Sequence, residues 1–313
     1  YLSALLSSVA DRQDQTQLYI EEAQKLSLYL DNIKITDGEQ VYMVPIADVD
    51  MLLIDNYKLY MTVQLMCKLS ENNVGVVICN KKRLPELMLN PLTGNYAAFK
   101  MQEWQLLTSL EFRGELWQAI VQGKISNQAE VLKRHNDDAG VLEKLTKFMS
   151  EVEIDDIGNR EGLAAKLYFH NLYGDDFIRD ADGKDSVNLA LNYGYAIVRA
   201  AVARAVIAKG FIPTVGIHHR NIYNHFNLAD DFIEPYRPLI DEWVYENMLD
   251  DFFVREKRLA LINSLNRKIL LGGKKYSILK SIPLYLDSIV RCYQAADVSK
   301  LLLPGSEIVE ECE

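Results

Sequence analysis

The 313 residues are 49% apolar and 25% charged, an ordinary globular composition with room for about two domains and a sizeable core. A net charge of −10 excludes a uniformly basic nucleic-acid binder, but leaves open a basic stripe on an acidic body. No apolar run approaches the ~18 residues of a membrane span, and Cys67, Cys79, Cys292 and Cys312 form no CxxC pair, which fits a reducing, cytoplasmic setting.

Residues 1–16 are set apart as an amino-terminal extension or tail. Leu2, Leu5, Leu6 and Val9 have helical spacing, and no basic region of a signal peptide precedes them. From Gln17 to about Pro91 the period becomes two. LYIEE, LSLYL, KITDG, QVYMVP and MLLID read as short strands, with a turn at Asp37-Gly38. Thr62 to Asn73 has helical spacing, and VGVVICN at 74–80 reads as a buried strand. Residues 17–92 are therefore expected to form a small β-rich folding or dimerisation domain without a catalytic constellation.

Pro91-Leu92-Thr93-Gly94 marks the expected boundary. Beyond it, helical periodicity dominates residues 93–313. The spacing predicts helices over 97–108, 110–135, 139–152, 160–173, 185–209, 228–249, 253–270 and 276–297. The fold class is thus α+β: a small β-rich domain followed by a larger all-α one. The acidic end, GSEIVEECE, reads as a solvated, frayed tail.

The richest stretch for chemistry is GFIPTVGIHHRNIYNHFNLADDFIEPYRP, residues 210–238. His218 and His219 follow an apolar run, His225 comes next, then Asp230, Asp231 and Glu234 at helical spacing. Imidazole and carboxylate together suit a divalent cation. Acids in a first helical turn also serve as caps and dipole partners, and the spacing alone favours that reading. A second acid, Glu161, stands at a helix start that Asn159 can cap, beside the small Ala164 and Ala165. His170, lone on an apolar helix, reads as a core residue. Basic residues gather in the helical half: Arg199, Arg204, Arg220, Arg237 and a group from Arg255 to Lys280 that includes Arg267 and Lys268. Gly272-Gly273 is expected to turn the run RKILLGGKK. Such a run either tracks phosphates or forms a solvated helix face.

Three segments in order, GNREGLAAKLYF, then VNLALNYGYAIVRAAVARAVIAKGFIPTVGIHH, then FNLADDFIEPYRP, resemble the CRISPR-associated adaptation integrase, in its type II variant. The resemblance covers the chain after residue 16. It implies a metal-dependent enzyme of antiviral defence that inserts short double-stranded DNA, the spacers, into a CRISPR array. It implies Mg²⁺ or Mn²⁺ as cofactor, with Glu161, His219 and Glu234 as ligands and catalytic residues. Asp231 falls on a supporting acidic position, Asp230 is the rival to Glu234, His218 is the rival to His219, and Arg237 falls on a basic position near the site. Implied partners are a second copy of the chain, a small ferredoxin-like adaptation subunit, double-stranded DNA and other type II CRISPR proteins, with no membrane. Two other readings remain at this stage. One is a hydrolytic endonuclease acting on branched or repair DNA through the same residues; the other is a non-catalytic DNA-binding scaffold. Pro235, directly after Glu234, requires the helix to start or bend there.

Overall fold

The computed structural model describes residues 16–90, 95–249 and 252–306. The extension before Thr16, the boundary residues Pro91 to Gly94 and the last seven residues, Cys312 among them, lie outside that description. By its contacts the chain divides into two compact units, Tyr1–Tyr96 and Ala97–Glu313.

The first unit holds two four-stranded sheets. In one, β1 (Thr16–Ile20), β5 (Val49–Ile54), β7 (Gly75–Cys79) and β8 (Pro85–Leu89) lie side by side in that order. The first three are parallel and β8 is antiparallel. In the other, β4 (Gln40–Pro45), β3 (Asn32–Asp37), β2 (Lys25–Tyr29) and the short β6 (Tyr60–Met61) follow in order. Gly38 turns β3 into β4 at a φ of 58°, a conformation that glycine adopts without a Cβ penalty. The helix α1 (Val63–Glu71) starts on Thr62, whose side chain accepts the Leu65 N–H, and carries the parallel crossover from β5 to β7. Leu26, Ile33, Ile35, Leu52, Leu65 and Leu69 form the centre of its core. The apolar MLLID and VGVVICN runs are interior strands of this sheet, so their hydrophobicity is used within it.

The second unit is helical: α2 (Ala98–Leu107), α3 (Leu110–His135), α4 (Ala139–Ser150), α5 (Arg160–Tyr173), α6 (Ser186–Ala208), α7 (Asn227–Ile233), α8 (Arg237–Met248), α9 (Arg255–Ser264) and α10 (Ile278–Ala295). The long α3 runs through the middle, capped at Ser109 and closed by Lys133, Arg134 and His135 at its negative dipole end. The expected helix 228–249 is broken into α7, a 3-10 turn over Glu234–Tyr236 and α8, as Pro235 requires.

Two expectations are corrected. The predicted helix 253–270 ends at Ser264, and residues 268–271 form β9 (Lys268–Leu271), paired antiparallel with β10 (Lys274–Ser277). Gly272 and Gly273 both take positive φ, 58° and 76°, and make the two-residue hairpin turn. RKILLGGKK is therefore a hairpin and not a helix face. The start of the acidic tail is not frayed either: Ser306 is buried, its N–H donates to Asn127 Oδ1 at 3.0 Å, and Arg134 donates to its carbonyl.

Candidate metal and phosphate site

Four segments converge on one region of the helical unit. On α3, Trp117 and Lys124 share the apolar face of Leu116, Ile120 and Val121. Before α5 the chain makes a cramped turn in which Asp155, Asp156 and Asn159 all have positive φ, a strained setting for residues with a Cβ. That turn presents the helix start: Asp156 accepts the N–H groups of Arg160 and Glu161 at 2.8 and 3.0 Å, and Asn159 caps Gly162. Glu161 is thus aimed from a fixed first turn. The third segment is the His218-His219 turn, and the fourth runs from Asp230 to Arg237.

Lys124 joins two of the expected acids. Its Nζ donates to Glu161 Oε1 at 2.5 Å and also to Glu234 Oε2. Arg237 Nε lies 2.9 Å from the other Glu234 oxygen, and its guanidinium rests over the Tyr195 ring at 4.8 Å. Burial works against the Lys124 charge, but Glu234 and Glu161 outweigh it and hold the ammonium above the ordinary lysine range. Burial likewise opposes ionisation of Glu161, yet Lys124 keeps its carboxyl below the usual value. Glu161 and Glu234 thus face one cation.

His219 faces the same charges. Its Nδ1 pairs with Asp231 Oδ1 at 2.6 Å, which leaves the Nε2 side of a half-exposed ring available. The hydrogen bond to Asp231 is the main cause holding this imidazole above its usual value. Asp231 is fully buried and also accepts the backbone N–H groups of Ile217, His218 and His219. Asp231 thus fixes the turn on which His219 sits.

The rival residues go elsewhere. Asp230 forms a two-pronged pair with Arg199, buttressed by Asn224. His218 stacks on Trp117, 4.4 Å between ring centres and 5° from parallel, with Nδ1 3.1 Å from Asp155. His170 is half-exposed and pairs with Asp175, so it is not a core residue. Of the basic candidates, Arg220 is exposed and Arg204 and Lys268 are intermediate. Arg267 turns inward, donating to the Leu239 carbonyl at 3.1 Å and lying 3.7 Å from Glu246.

The donor set of Glu161, Glu234 and the Nε2 of His219, two hard oxygens and one nitrogen, fits Mg²⁺ or Mn²⁺. That a buried ammonium already sits between the two carboxylates supports the same fit. Glu161, His219 and Glu234 are not brought together as a three-donor group within 4.8 Å, and the set that is was not expected. Among the described residues, His135 on α3 and Glu242 and Glu246 on α8 bring three donor atoms within 4.8 Å of one another. Arg134 Nε donates to Glu242 at 2.7 Å, and Arg267 adds positive charge beside Glu246, so cations already balance these acids. Sequence reading also missed Lys124. Its signal was a lysine at i+4 from Ile120 and i+7 from Trp117, in the middle of an apolar stripe. Asp241 was missed as well. Burial pushes its carboxyl up to about 7, and it accepts the Tyr195 hydroxyl.

The sequence pattern of the family described as "CRISPR associated protein Cas1" matches residues 18–272. The chain is 36% identical over 287 residues to the CRISPR-associated endonuclease Cas1 of Neisseria meningitidis serogroup C (strain 8013), covering 90% of this chain and 92% of that protein. It is 27% identical over 214 residues to a CRISPR-associated endonuclease Cas1 of Pyrobaculum aerophilum, covering 63% of this chain and 70% of that one. The fold is similar to that of a casposase bound to integration product, at a TM-score of 0.71 and 20% identity, covering 96% of each chain. It is also similar to a Cas1 protein from Thermotoga maritima, at a TM-score of 0.67 and 14% identity, covering 95% of this chain and all of that one. A chain of a Cas6-RT-Cas1–Cas2 complex gives a TM-score of 0.71 at 18% identity, over 96% of this chain and 37% of that one.

Proposed function

Because the chain belongs to the Cas1 family, we propose that it is a metal-dependent integrase that joins short double-stranded DNA to the border of a CRISPR repeat. The observation that carries this reading is the meeting of Glu161 and Glu234 on one cation beside an imidazole held by Asp231.

Glu161, His219 and Glu234 would hold Mg²⁺ or Mn²⁺, which when bound supplies Lewis acidity and a lowered pKa for an attacking hydroxyl. The reaction is a transesterification. A 3′-oxygen of the incoming DNA forms a bond to phosphorus at the repeat border, the bond from that phosphorus to the neighbouring 3′-oxygen breaks, and the released strand end takes up a proton. The number of phosphodiester bonds is unchanged, so no external energy source is needed. Asp231 orients the His219 ring. Arg237 and Lys124 surround the carboxylates with positive charge and would hold the phosphate in line. Arg204, Arg220 and Lys268 are the proposed phosphate contacts farther out; Arg199 and Arg267 make their bonds inside the protein and act on DNA through the surfaces they brace.

The proposed partners are double-stranded DNA, a second copy of the chain, a small ferredoxin-like subunit and other type II CRISPR proteins, in the cytoplasm. Similar folds in a casposase bound to integration product and in a Cas6-RT-Cas1–Cas2 complex support the first and third. No described helix is long and apolar enough to cross a membrane. Curated relatives carry the word endonuclease, which favours hydrolysis at the same site as the second reading.

A strand-transfer assay separates the two. Purified protein, partner subunit, a labelled short duplex and a supercoiled plasmid bearing a repeat are combined with and without Mn²⁺. Joined strands support integration; cleaved ends alone support hydrolysis. Glu161→Ala, His219→Ala and Glu234→Ala are each expected to abolish joining with the fold intact. Full activity in any of the three, beside an inactive His218→Ala or Asp230→Ala, would move the ligand.

A further inference from the structure

The seven residues after His219, RNIYNHF, form a loop that is pinned from within. Asn227 Nδ2 donates to the carbonyls of Asn221 and Thr214 at 2.9 and 3.1 Å. The Asn221 N–H returns a bond to Asn227 Oδ1. Asn221 Oδ1 accepts the Tyr223 N–H at 2.9 Å, and Asn224 Oδ1 accepts the Phe226 N–H at 3.0 Å. Asn224 Nδ2 is tied to Asp230, which is itself tied to Arg199. The Arg199 guanidinium in turn lies over the Phe226 ring at 5.6 Å. Three asparagines and an ion pair thus fix the backbone of one short turn.

At the tip of this fixed turn stand two large side chains with almost nothing around them. Ile222 and Tyr223 are each 85% exposed. Phe226, in the same loop, is shielded by Arg199, so the loop can cover an aromatic ring where it needs to. Arg220, also exposed, adds a positive charge on the same loop. A rigid turn that holds an aromatic face in water beside a cation has the make-up of a stacking platform for a nucleic-acid base. A protein-binding knob would call for a broader apolar surround, and the neighbours here are Arg220, Asn221, Asn224 and His225.

We propose that Tyr223 stacks on an unpaired base of the DNA strand at the reaction site, with Ile222 packed beside that base and Arg220 on its phosphate. The inference rests on the DNA reading given above and extends it to how the strand end is held. Four peptide units separate His219 from Tyr223, a reach of at most about 14 Å. At ~3.4 Å per nucleotide along a strand, the base served lies within about four nucleotides of the phosphate at His219.

The test is a binding measurement in EDTA, where no chemistry occurs, with the full chain and two DNA probes. One probe is a blunt duplex; the other carries 2-aminopurine in an unpaired stretch of four nucleotides at its end. The wild-type protein is expected to quench 2-aminopurine at one of those positions and to bind the unpaired probe the more tightly. Tyr223→Ala should lose the quenching and weaken binding to the unpaired probe by about tenfold, while the blunt duplex changes less than twofold. Tyr223→Phe should restore both. Both residues point into water, so these variants keep the fold, which a melting curve checks. Equal binding of both probes by wild type and Tyr223→Ala overturns the proposal, as does equal weakening of both. So does an effect of Tyr223→Ala seen only when the partner subunit is present. If Glu161→Ala keeps full strand transfer while the 2-aminopurine signal still depends on Tyr223, the ligand assignment fails and the stacking site stands. The reverse pattern separates them the other way.

Discussion

The Nδ1 of His219 lies 2.6 Å from Oδ1 of Asp231, and the same carboxylate receives three consecutive backbone N–H groups from Ile217 to His219. One buried acid therefore fixes both the ring and the turn that carries it. In Asp231→Asn the amide keeps the shape but replaces one acceptor with a donor and removes the charge. Leaving one or two buried N–H groups unpaired should cost about 2–4 kcal/mol. Strand transfer should fall at least a hundredfold. Chemical denaturation beside the strand-transfer assay checks both, and an unchanged denaturation midpoint would contradict this role.

Lys124 is the counter-charge for two acids. In Lys124→Met, Glu161 and Glu234 face each other without it, and Arg237 alone remains on Glu234. Breaking a buried pair this way costs on the order of 3–5 kcal/mol. The loss should appear in EDTA and shrink in Mn²⁺, because a divalent cation relieves the same repulsion. Melting curves under the two conditions are the measurement. Equal destabilisation in both would mean that Lys124 acts through packing alone.

Asp241 predicts a pH profile. Burial raises its carboxyl to about 7 from an ordinary 3.8, so between these values the folded chain holds a proton that the unfolded chain has released. Its stabilising contribution is full below the unfolded value, falls as pH rises and is lost once pH passes about 7. Over that window the loss is on the order of 4 kcal/mol. Asp241→Asn keeps an acceptor for the Tyr195 hydroxyl and cannot ionise. It should flatten the fall between pH 4 and 7 and melt above the wild type at pH 8. A wild-type profile unchanged by the substitution would show that Asp241 does not ionise on this schedule.

Gly216 lies against the His219 turn. A Cβ there would stand 2.3 Å from the His219 carbonyl oxygen and 2.7 Å from Asp231 Oδ2. The first obstacle is backbone, which cannot rotate away. Gly216→Ala should therefore displace the turn, costing about 1–3 kcal/mol and most of the strand transfer. A variant with wild-type stability and activity would show that the turn adjusts freely.

Much of the helical unit was legible because its signals are local. The apolar spacing predicts a helix over residues 110–135, and the structure has it there. Asn159 and Pro235 likewise act as expected, one as a cap and the other as a break. The β9–β10 hairpin was misread because Ile269, Leu270 and Leu271 form an apolar run that suits either element, and a two-residue Gly-Gly turn between such runs outweighs the period. Partner choices across long separations were not legible. Nothing near Asp230 in sequence says that it pairs with Arg199, 31 residues earlier, while Glu234 pairs with Lys124, 110 residues earlier. Those choices are made by helix packing. Lys124 itself looks like an interruption of an apolar face until two acids from other segments are brought to it.

The Asn127 side chain lies three residues from Lys124 on α3, donates to the carbonyls of Pro235 and Pro304, and accepts the N–H of Ser306. Its amide therefore closes a span of 179 residues. On a ribosome, α3 is made long before Ser306 leaves the exit tunnel. At ~5–20 residues per second, the closing segment arrives roughly 10–35 s later. During that interval the inner face of α3, Lys124 included, waits without its last seal. A nascent chain stalled before Pro304 should stay sensitive to protease in the helical unit, and one stalled well past Ser306 should not. The order of synthesis thereby keeps the charged centre of the helical unit open until the segment around Ser306 has been made.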